Sequence, residues 1–283
     1  MTGALGLMWT PNPKGESYEK FPCEGHSPHH RCFHRDRRRL ADRLAKRGYD
    51  LIVVARNEDR LKELAARLAD ETGRSVKRLR ADLNNKTDLA KVEQTLREDP
   101  SITMLVNNAG IGAVTPLLDS DVDKMDEMIA LNVTSLTRLT YAAAPAFVAR
   151  GSGTIINIAS IVGISPETLN GVYGASKAYV LALSHSLQHE LAGKGLRIQA
   201  VLPAGTATDF WDKTGLPYQK LPDGTVMSAE DMVDAALVGL DKGELVTLPS
   251  LPDGDEWTRF EAARRTMSEH FFHSTPAPSY RAA

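Results

Sequence analysis

The sequence predicts an α/β protein: a doubly wound parallel sheet with helices on both faces. Three observations predict it. Short apolar, β-branched runs such as "DLIVVAR", "ITMLVNN" and "GTIINIAS" read as strands covered on both sides. Between them lie stretches of helical period such as "NEDRLKELAARLADETG". The two kinds alternate along most of the chain, which is the order of βαβ units. Right-handed crossovers then gather the C-terminal strand ends on one rim, where ligands bind.

The regular order starts at Leu40. In "LADRLAKRG" Leu40 and Leu44 lie one helical turn apart, and Gly48 suits a C-cap. "DLIVVAR" is the strand that follows. The next helix ends at Gly73, "SVKRLRADL" is a strand, and "KTDLAKVEQTLRED" is a helix. "ITMLVNNAG" is a buried strand running into a turn. A long helical stretch spans about 120–150, and "GTIINIAS" is the next strand. "VYGASKAYVLALSHSLQHELAGKG" is a helix with Val180, Leu183, Leu187 and Leu191 on its apolar side. "LRIQAVLPAG" is a strand, and "SAEDMVDAALVGLD" is a helix with Ser228 as N-cap and Asp231 as its partner. "ELVTLPSL" reads as a final strand. The Pro- and Gly-bearing segment 206–227 reads as a lid over the rim, and "HSTPAPSYRAA" as a loose tail.

Composition excludes several classes. Of 283 residues, 42% are hydrophobic and 25% charged, enough for a full core. A net charge of −2 gives no reason to expect nucleic acid or an anionic membrane as partner. No apolar run approaches the roughly 18 residues of a membrane span. "MTGALGLMWTPNPKGESYEK" lacks the basic and apolar regions of a signal peptide. Both cysteines, Cys23 and Cys32, lie near the N-terminus, so no disulfide framework is expected and a reducing cytoplasm is the expected location.

Polar features cluster at predicted strand ends and on adjoining helices. They are "NNAG" with Asn108, Ala109 and Gly110, Asn132 within a helix, Ser160 ending "INIAS", and Tyr173 and Lys177 in "YGASK". Spacing of four puts Tyr173 and Lys177 on one helix face. A phenol near pKa 10 is a poor acid or base at neutral pH, and an adjacent ammonium favours the phenolate. Ser160 can hydrogen-bond a substrate oxygen, and Asn132 can hold a water and relay protons. His185 and His189 are one turn apart but have no third metal ligand in view, so no metal is expected.

As a set, in this order and spacing, these residues resemble the short-chain dehydrogenase/reductase family over about residues 40–251. The resemblance implies a Rossmann-like fold and hydride transfer between NAD(P)(H) and a carbonyl or alcohol. It makes Tyr173 the proton donor or acceptor and a cofactor-binding residue, with Lys177 lowering its pKa and holding the nicotinamide ribose. Ser160 would bind the carbonyl oxygen, and Asn132 would complete the relay. Asp82 and Leu83 would meet the adenine, and Asn108, Ala109 and Gly110 the adenosine side. In "PAGTAT" Pro203 and Thr208 match the family's carboxamide-binding turn, although Ala204 stands where a glycine is expected. "VVARN" ends its strand with Arg56 and Asn57 and no acid, which suits a 2′-phosphate, so NADP(H) is expected over NAD(H). A homodimer or homotetramer acting on a small-molecule substrate is implied as well.

One family feature is missing. A Thr-Gly-x-x-x-Gly-x-Gly loop should precede the helix at Leu40, yet residues 29–39, "HHRCFHRDRRR", contain no glycine. Read one nucleotide forward, the codons for residues 30–38 permit Thr-Gly-Ala-Ser-Thr-Gly-Ile-Gly-Ala, which is that loop in its place. The stretch is therefore read as the product of a shifted frame. Two rivals are zinc held by Cys23, His26, His29, His30, Cys32 and His34, and phosphates clasped by "RDRRR". Residues 1–38 are expected to be irregular and 39–283 to form one domain. Loss of the first strand would expose ladder groups on its neighbours, so weakened folding and cofactor affinity are expected. The alternative function is a catalytically impaired scaffold that keeps the family's shell.

Overall fold

The computed structural model describes residues 6–10, 35–208, 210–214 and 217–281. Its strands are β1 (Gly6–Thr10), β2 (Asp50–Ala55), β3 (Val76–Arg80), β4 (Met104–Asn107), β5 (Gly153–Ile158), β6 (Leu196–Val201) and β7 (Val246–Thr247). They form one sheet in the order β3-β2-β1-β4-β5-β6-β7. The helices are α1 (Arg35–Lys46), α2 (Glu58–Thr72), α3 (Lys86–Glu98), α4 (Val122–Ile129), α5 (Leu136–Arg150), α6 (Gly171–Leu191), α7 (Phe210–Thr214), α8 (Ala229–Asp241) and α9 (Gly254–Glu269).

The alternation in β2 shows how the sheet comes to be covered twice. Leu51, Val53 and Ala55 enter a core shared with Leu40 and Leu44 of α1, Leu61 of α2 and Val233 and Leu237 of α8. Ile52 and Val54 enter the opposite core, with Leu89 and Val92 of α3, Leu139 and Phe147 of α5 and Leu187 of α6. Two-residue side-chain period puts alternate apolar residues on opposite faces, so a strand with both faces covered must be apolar throughout. The caps read from sequence are present. Gly48 and Gly73 take left-handed φ of 88° and 66°, where a Cβ is disfavoured. The Asp231 N–H donates to Ser228 Oγ at 3.0 Å.

The N-terminus departs from expectation. Residues 6–10 form a strand, and from Arg35 onward the chain is helical, so 1–38 is not irregular at those positions. β1 fills the slot between β2 and β4 and is antiparallel to both, whereas the other pairings are parallel. The physical reason is that both edges facing the slot carry unpaired ladder groups, and "GLMWT" has the donors and apolar character to pair with them. The exposed ladder expected between β2 and β4 is thus covered over the registered residues. The glycine-free stretch 29–34 and the zinc reading of 23–34 lie outside the described residues.

Other differences are local. The strand expected over 244–251 shortens to Val246–Thr247, and Pro249 two residues later lacks a ladder donor. The long helical stretch is present as α4 and α5, joined by a π-helical turn, Ala130–Ser135. The chain divides into two units, Met1–Pro249 and Ser250–Ala283, where the sequence suggests one domain through residue 283. The second unit holds α9, capped by Asp253 through the Asp255 N–H at 2.9 Å, and a 3-10 turn, Pro278–Tyr280. Among the described residues, no helix is long and apolar enough to cross a membrane. Among those residues no group of three His, Cys, Asp or Glu side chains could hold a metal ion.

Candidate active site

Four elements converge on the rim. α6 begins at its cap Asn170, whose side chain accepts from the N–H groups of Val172 and Tyr173 at 2.9 and 3.3 Å. The Asn170 amide donates to Thr115 O at 2.7 Å, tying this start to the segment after β4. One turn on, Lys177 Nζ donates to Ile158 O, the last carbonyl of β5, at 2.8 Å. Ser160 follows β5 directly. Its hydroxyl donates to Pro203 O at 3.2 Å, bridging the ends of β5 and β6. Tyr173, Lys177 and Ser160 are all buried, and all three line one cavity of about 500 Å³.

The electrostatics correct one expectation. Burial pushes the Tyr173 phenol up to about 12, and a hydrogen bond with Ser160 acts in the opposite direction. The ammonium does not win because it is engaged elsewhere: Lys177 Nζ is bonded to Ile158 O and lies 5.9 Å from the Tyr173 ring centroid. Desolvation of a phenolate at this depth outweighs a cation at that distance.

Asn132 sits in the π-helical turn, a distortion that often marks functional sites. Its Oδ1 accepts from Ile111 N at 3.0 Å, and its Nδ2 donates to Ile111 O at 2.8 Å and Ser176 Oγ at 3.1 Å. The side chain expected to relay protons therefore pins the backbone after "NNAG". A Cβ at Gly110 would lie 3.2 Å from Asn132 Oδ1 and 3.5 Å from Lys177 Nζ. Glycine there keeps the space beside the lysine open.

The remaining residues divide into two groups. Asn108, Gly110, Pro203 and Thr208 line the cavity with Ser160, Tyr173 and Lys177. Arg56, Asn57, Asp82, Leu83, Ala109 and Asn132 lie outside its lining. Arg56 Nη1 is 3.5 Å from Asp82 Oδ2 at the neighbouring ends of β2 and β3, with both side chains about two-fifths exposed (36% and 40%). Asn57 caps α2 by accepting from Arg60 N at 2.9 Å. Leu83 is buried, and its carbonyl accepts from Ser135 Oγ at 2.7 Å. In the "RDRRR" run, Arg39 pairs with Glu230 of α8 at 2.6 Å rather than standing ready for a phosphate.

Sequence reasoning missed two parts of the site. A buried chain runs from Thr140 through Asn107 and Asn157 to Ser184, with bonds of 3.1, 2.9 and 2.9 Å. It fixes the strand ends behind the cavity, and it joins residues too distant in sequence to be read as a set. The second is Phe210 of α7, whose ring lies 5.4 Å from that of Tyr173. In sequence it belongs to the segment 206–227 read as a lid, where nothing ties its ring to Tyr173.

The residues present suit the nicotinamide–ribose half of a dinucleotide. A cation, a phenol and Asn108 meet at a cavity with an apolar wall, and Gly110 leaves room beside them. At the opposite end of that rim, Arg56 is a cation at a strand tip.

Comparison with known proteins gives consistent results. A family model described as short chain dehydrogenase matches residues 38–218. An uncharacterised oxidoreductase of Staphylococcus epidermidis is 31% identical over 194 residues, covering 66% of this chain and 83% of that one. A short-chain dehydrogenase from Sphingobium yanoikuyae in complex with NADPH superposes with a TM-score of 0.83 at 45% identity, covering 86% of this chain and 94% of that one. A bulky-bulky ketone specific alcohol dehydrogenase from Comamonas testosteroni gives a TM-score of 0.80 at 40% identity, covering 87% and 94%.

Proposed function

Because the chain belongs to the short-chain dehydrogenase/reductase family of NAD(P)-dependent oxidoreductases, we propose that it reduces a bulky, largely apolar ketone with NADPH, using Tyr173 as the acid. The observation that carries this reading is the placement of Ser160, Tyr173 and Lys177 on the wall of one cavity. A phenol raised to about 12 is neutral at physiological pH and so holds the proton a reduction needs. The alkoxide that forms at the carbonyl carbon's oxygen is a far stronger base than a phenolate, so the transfer runs downhill. The nicotinamide, when bound, supplies the hydride.

The chain's own residues do the rest. Ser160 and Tyr173 present two hydroxyls to one carbonyl oxygen. Lys177 holds positive charge in the cavity, which stabilises the phenolate left after proton transfer. Asn132 keeps the segment after β4 in place through Ile111. Ile161, Leu169 and Leu221 give the cavity an apolar wall, which excludes water and favours an apolar substrate. The specificity of the Comamonas testosteroni relative for bulky-bulky ketones supports a bulky ketone here. Arg56 at the tip of β2 supports NADPH over NADH, because a guanidinium can pair with a 2′-phosphate. A homodimer or homotetramer in the cytoplasm is the assembly and location this reading favours.

Loss of absorbance at 340 nm on adding isobutyrophenone to protein and saturating NADPH tests the proposal. Ketone-dependent loss that vanishes in Tyr173→Phe supports it. One observation favours a second reading, a binding protein that keeps the shell: no glycine occurs between Gly25 and Gly48, where the phosphate loop belongs. Absence of any turnover across a ketone panel would favour that reading.

A further inference from the structure

We propose that Phe210, seated in the space left by Gly112, sets the upper size limit for the ketone on the α7 side of Tyr173. This inference rests on the reductase reading above and assigns a specificity residue to the same site.

The ring has a defined seat. It lies 5.4 Å from the Tyr173 ring at 41° and 5.3 Å from the Trp211 ring, edge-on at 85°. Trp211 is the anchor: it is buried, and its Nε1–H donates to Thr206 O at 2.9 Å. The Phe210 N–H donates to Thr208 Oγ1 at 3.3 Å. The chain just before α7 is clamped to 227 by bonds from Ala207 N to Met227 O and from Met227 N to Gly205 O, at 2.9 and 2.8 Å. The backbone on this side is therefore fixed, and the Phe210 ring is the adjustable part of the wall.

Gly112 is the second observation. A Cβ there would come within 2.2 and 2.3 Å of Phe210 Cε2 and Cζ, and 3.2 Å from Tyr173 Cε2. Gly112 is not among the glycines of positive φ, so its backbone does not call for glycine. What the missing side chain provides is room for the ring. Any substituent on the carbonyl that turns toward α7 must share that room with Phe210. The ring also belongs to the apolar surroundings that bury Tyr173, so its removal lets the phenol's pKa fall.

The test compares 2-butanone, acetophenone and isobutyrophenone in wild type, Phe210→Ala, Phe210→Leu, Gly112→Ala and the Gly112→Ala/Phe210→Ala double variant. Phe210→Ala raises kcat/KM for isobutyrophenone relative to 2-butanone about tenfold, with Phe210→Leu between it and wild type. Gly112→Ala fills the shared room, pushes the ring toward the cavity and shifts the order in the opposite direction. The double variant keeps most of the Phe210→Ala shift, because the methyl group at position 112 then has no ring to displace, so the two effects do not add. Calorimetric titration with isobutyrophenone reads the same limit without turnover, and Phe210→Ala tightens binding. An unchanged order of ketones, additive shifts, or an unchanged or undetectable heat of binding in Phe210→Ala would overturn the inference. If instead wild type turns over none of the three ketones, the reductase reading falls, and the calorimetry still decides the role of Phe210.

Discussion

Tyr173 shows what a motif can and cannot tell. "YGASK" gave the pairing with Lys177, and the structure brings both side chains to one cavity. The direction of the pKa shift was not legible, because it depends on burial by residues far away in sequence. Met128, Val162 and Phe210 come from three separate segments and pack around the phenol. That burial has a measurable consequence. The phenol titrates near 10 in an unfolded chain and at about 12 in the folded one. The folded state holds the proton more tightly, so this contribution is intact below pH 10 and is lost as pH rises through 12. Two units at about 1.4 kcal/mol each make the loss up to about 3 kcal/mol. Urea denaturation between pH 9 and 11.5 should show wild type losing about 2 kcal/mol of this increment and Tyr173→Phe losing none of it. At the other end of the rim, Arg56→Asp should raise the KM for NADPH about 10- to 100-fold, the worth of a charge-assisted hydrogen bond of about 1.5–3 kcal/mol. The KM for NADH should change far less, which steady-state kinetics with both cofactors would show.

Among the elements, those with internal signals were legible and those defined by partners were not. The caps at Gly48, Gly73 and Ser228 are written in the residues beside them. β1 is not: "GLMWT" is a short apolar run whose role comes from the unpaired edges of β2 and β4. The helix α9 carried a cap, Asp253, and acids in its first turn, Asp255 and Glu256, yet no marked apolar face drew attention to it. A tertiary clamp was invisible for the same reason as β1. Glu93 of α3 is buried and accepts from Arg97 Nη2 at 2.7 Å and from Arg138 Nε of α5 at 2.5 Å. Burial raises its carboxyl, but the two guanidinium groups hold it below the usual carboxylate range. This stabilisation is present above about pH 4.3 and is lost as pH falls below it. Replacing both arginines by alanine leaves the charge buried and unpaired, which should cost about 3–5 kcal/mol. Replacing Glu93 by glutamine should cost less, and denaturant midpoints would order the two variants.

At the scale of the whole molecule, the cores on the two faces of the sheet follow from the alternation of apolar runs, and Ser160, Tyr173 and Lys177 meet at one cavity on the rim. The phosphate end is where sequence and family diverge. The family model begins to match at residue 38, the last codon of the stretch 30–38 read as frame-shifted. A shifted reading frame accounts for both facts, and the coding DNA over codons 30–38 should spell the glycine loop one nucleotide forward. Any other sequence there would remove that explanation. Without the loop's backbone donors the pyrophosphate loses its usual cradle, so NADPH should bind weakly. A thermal-shift titration should need far more than micromolar NADPH to move the melting temperature, and a large saturable shift at micromolar cofactor would contradict this.

The central claim is that a buried, protonated phenol delivers the proton during ketone reduction. NADPH consumption at 340 nm with isobutyrophenone, at saturating cofactor, tests it by comparing wild type with Tyr173→Phe. The variant should lose about 10²- to 10⁴-fold in rate at saturating NADPH. Equal rates in the two proteins would contradict the claim.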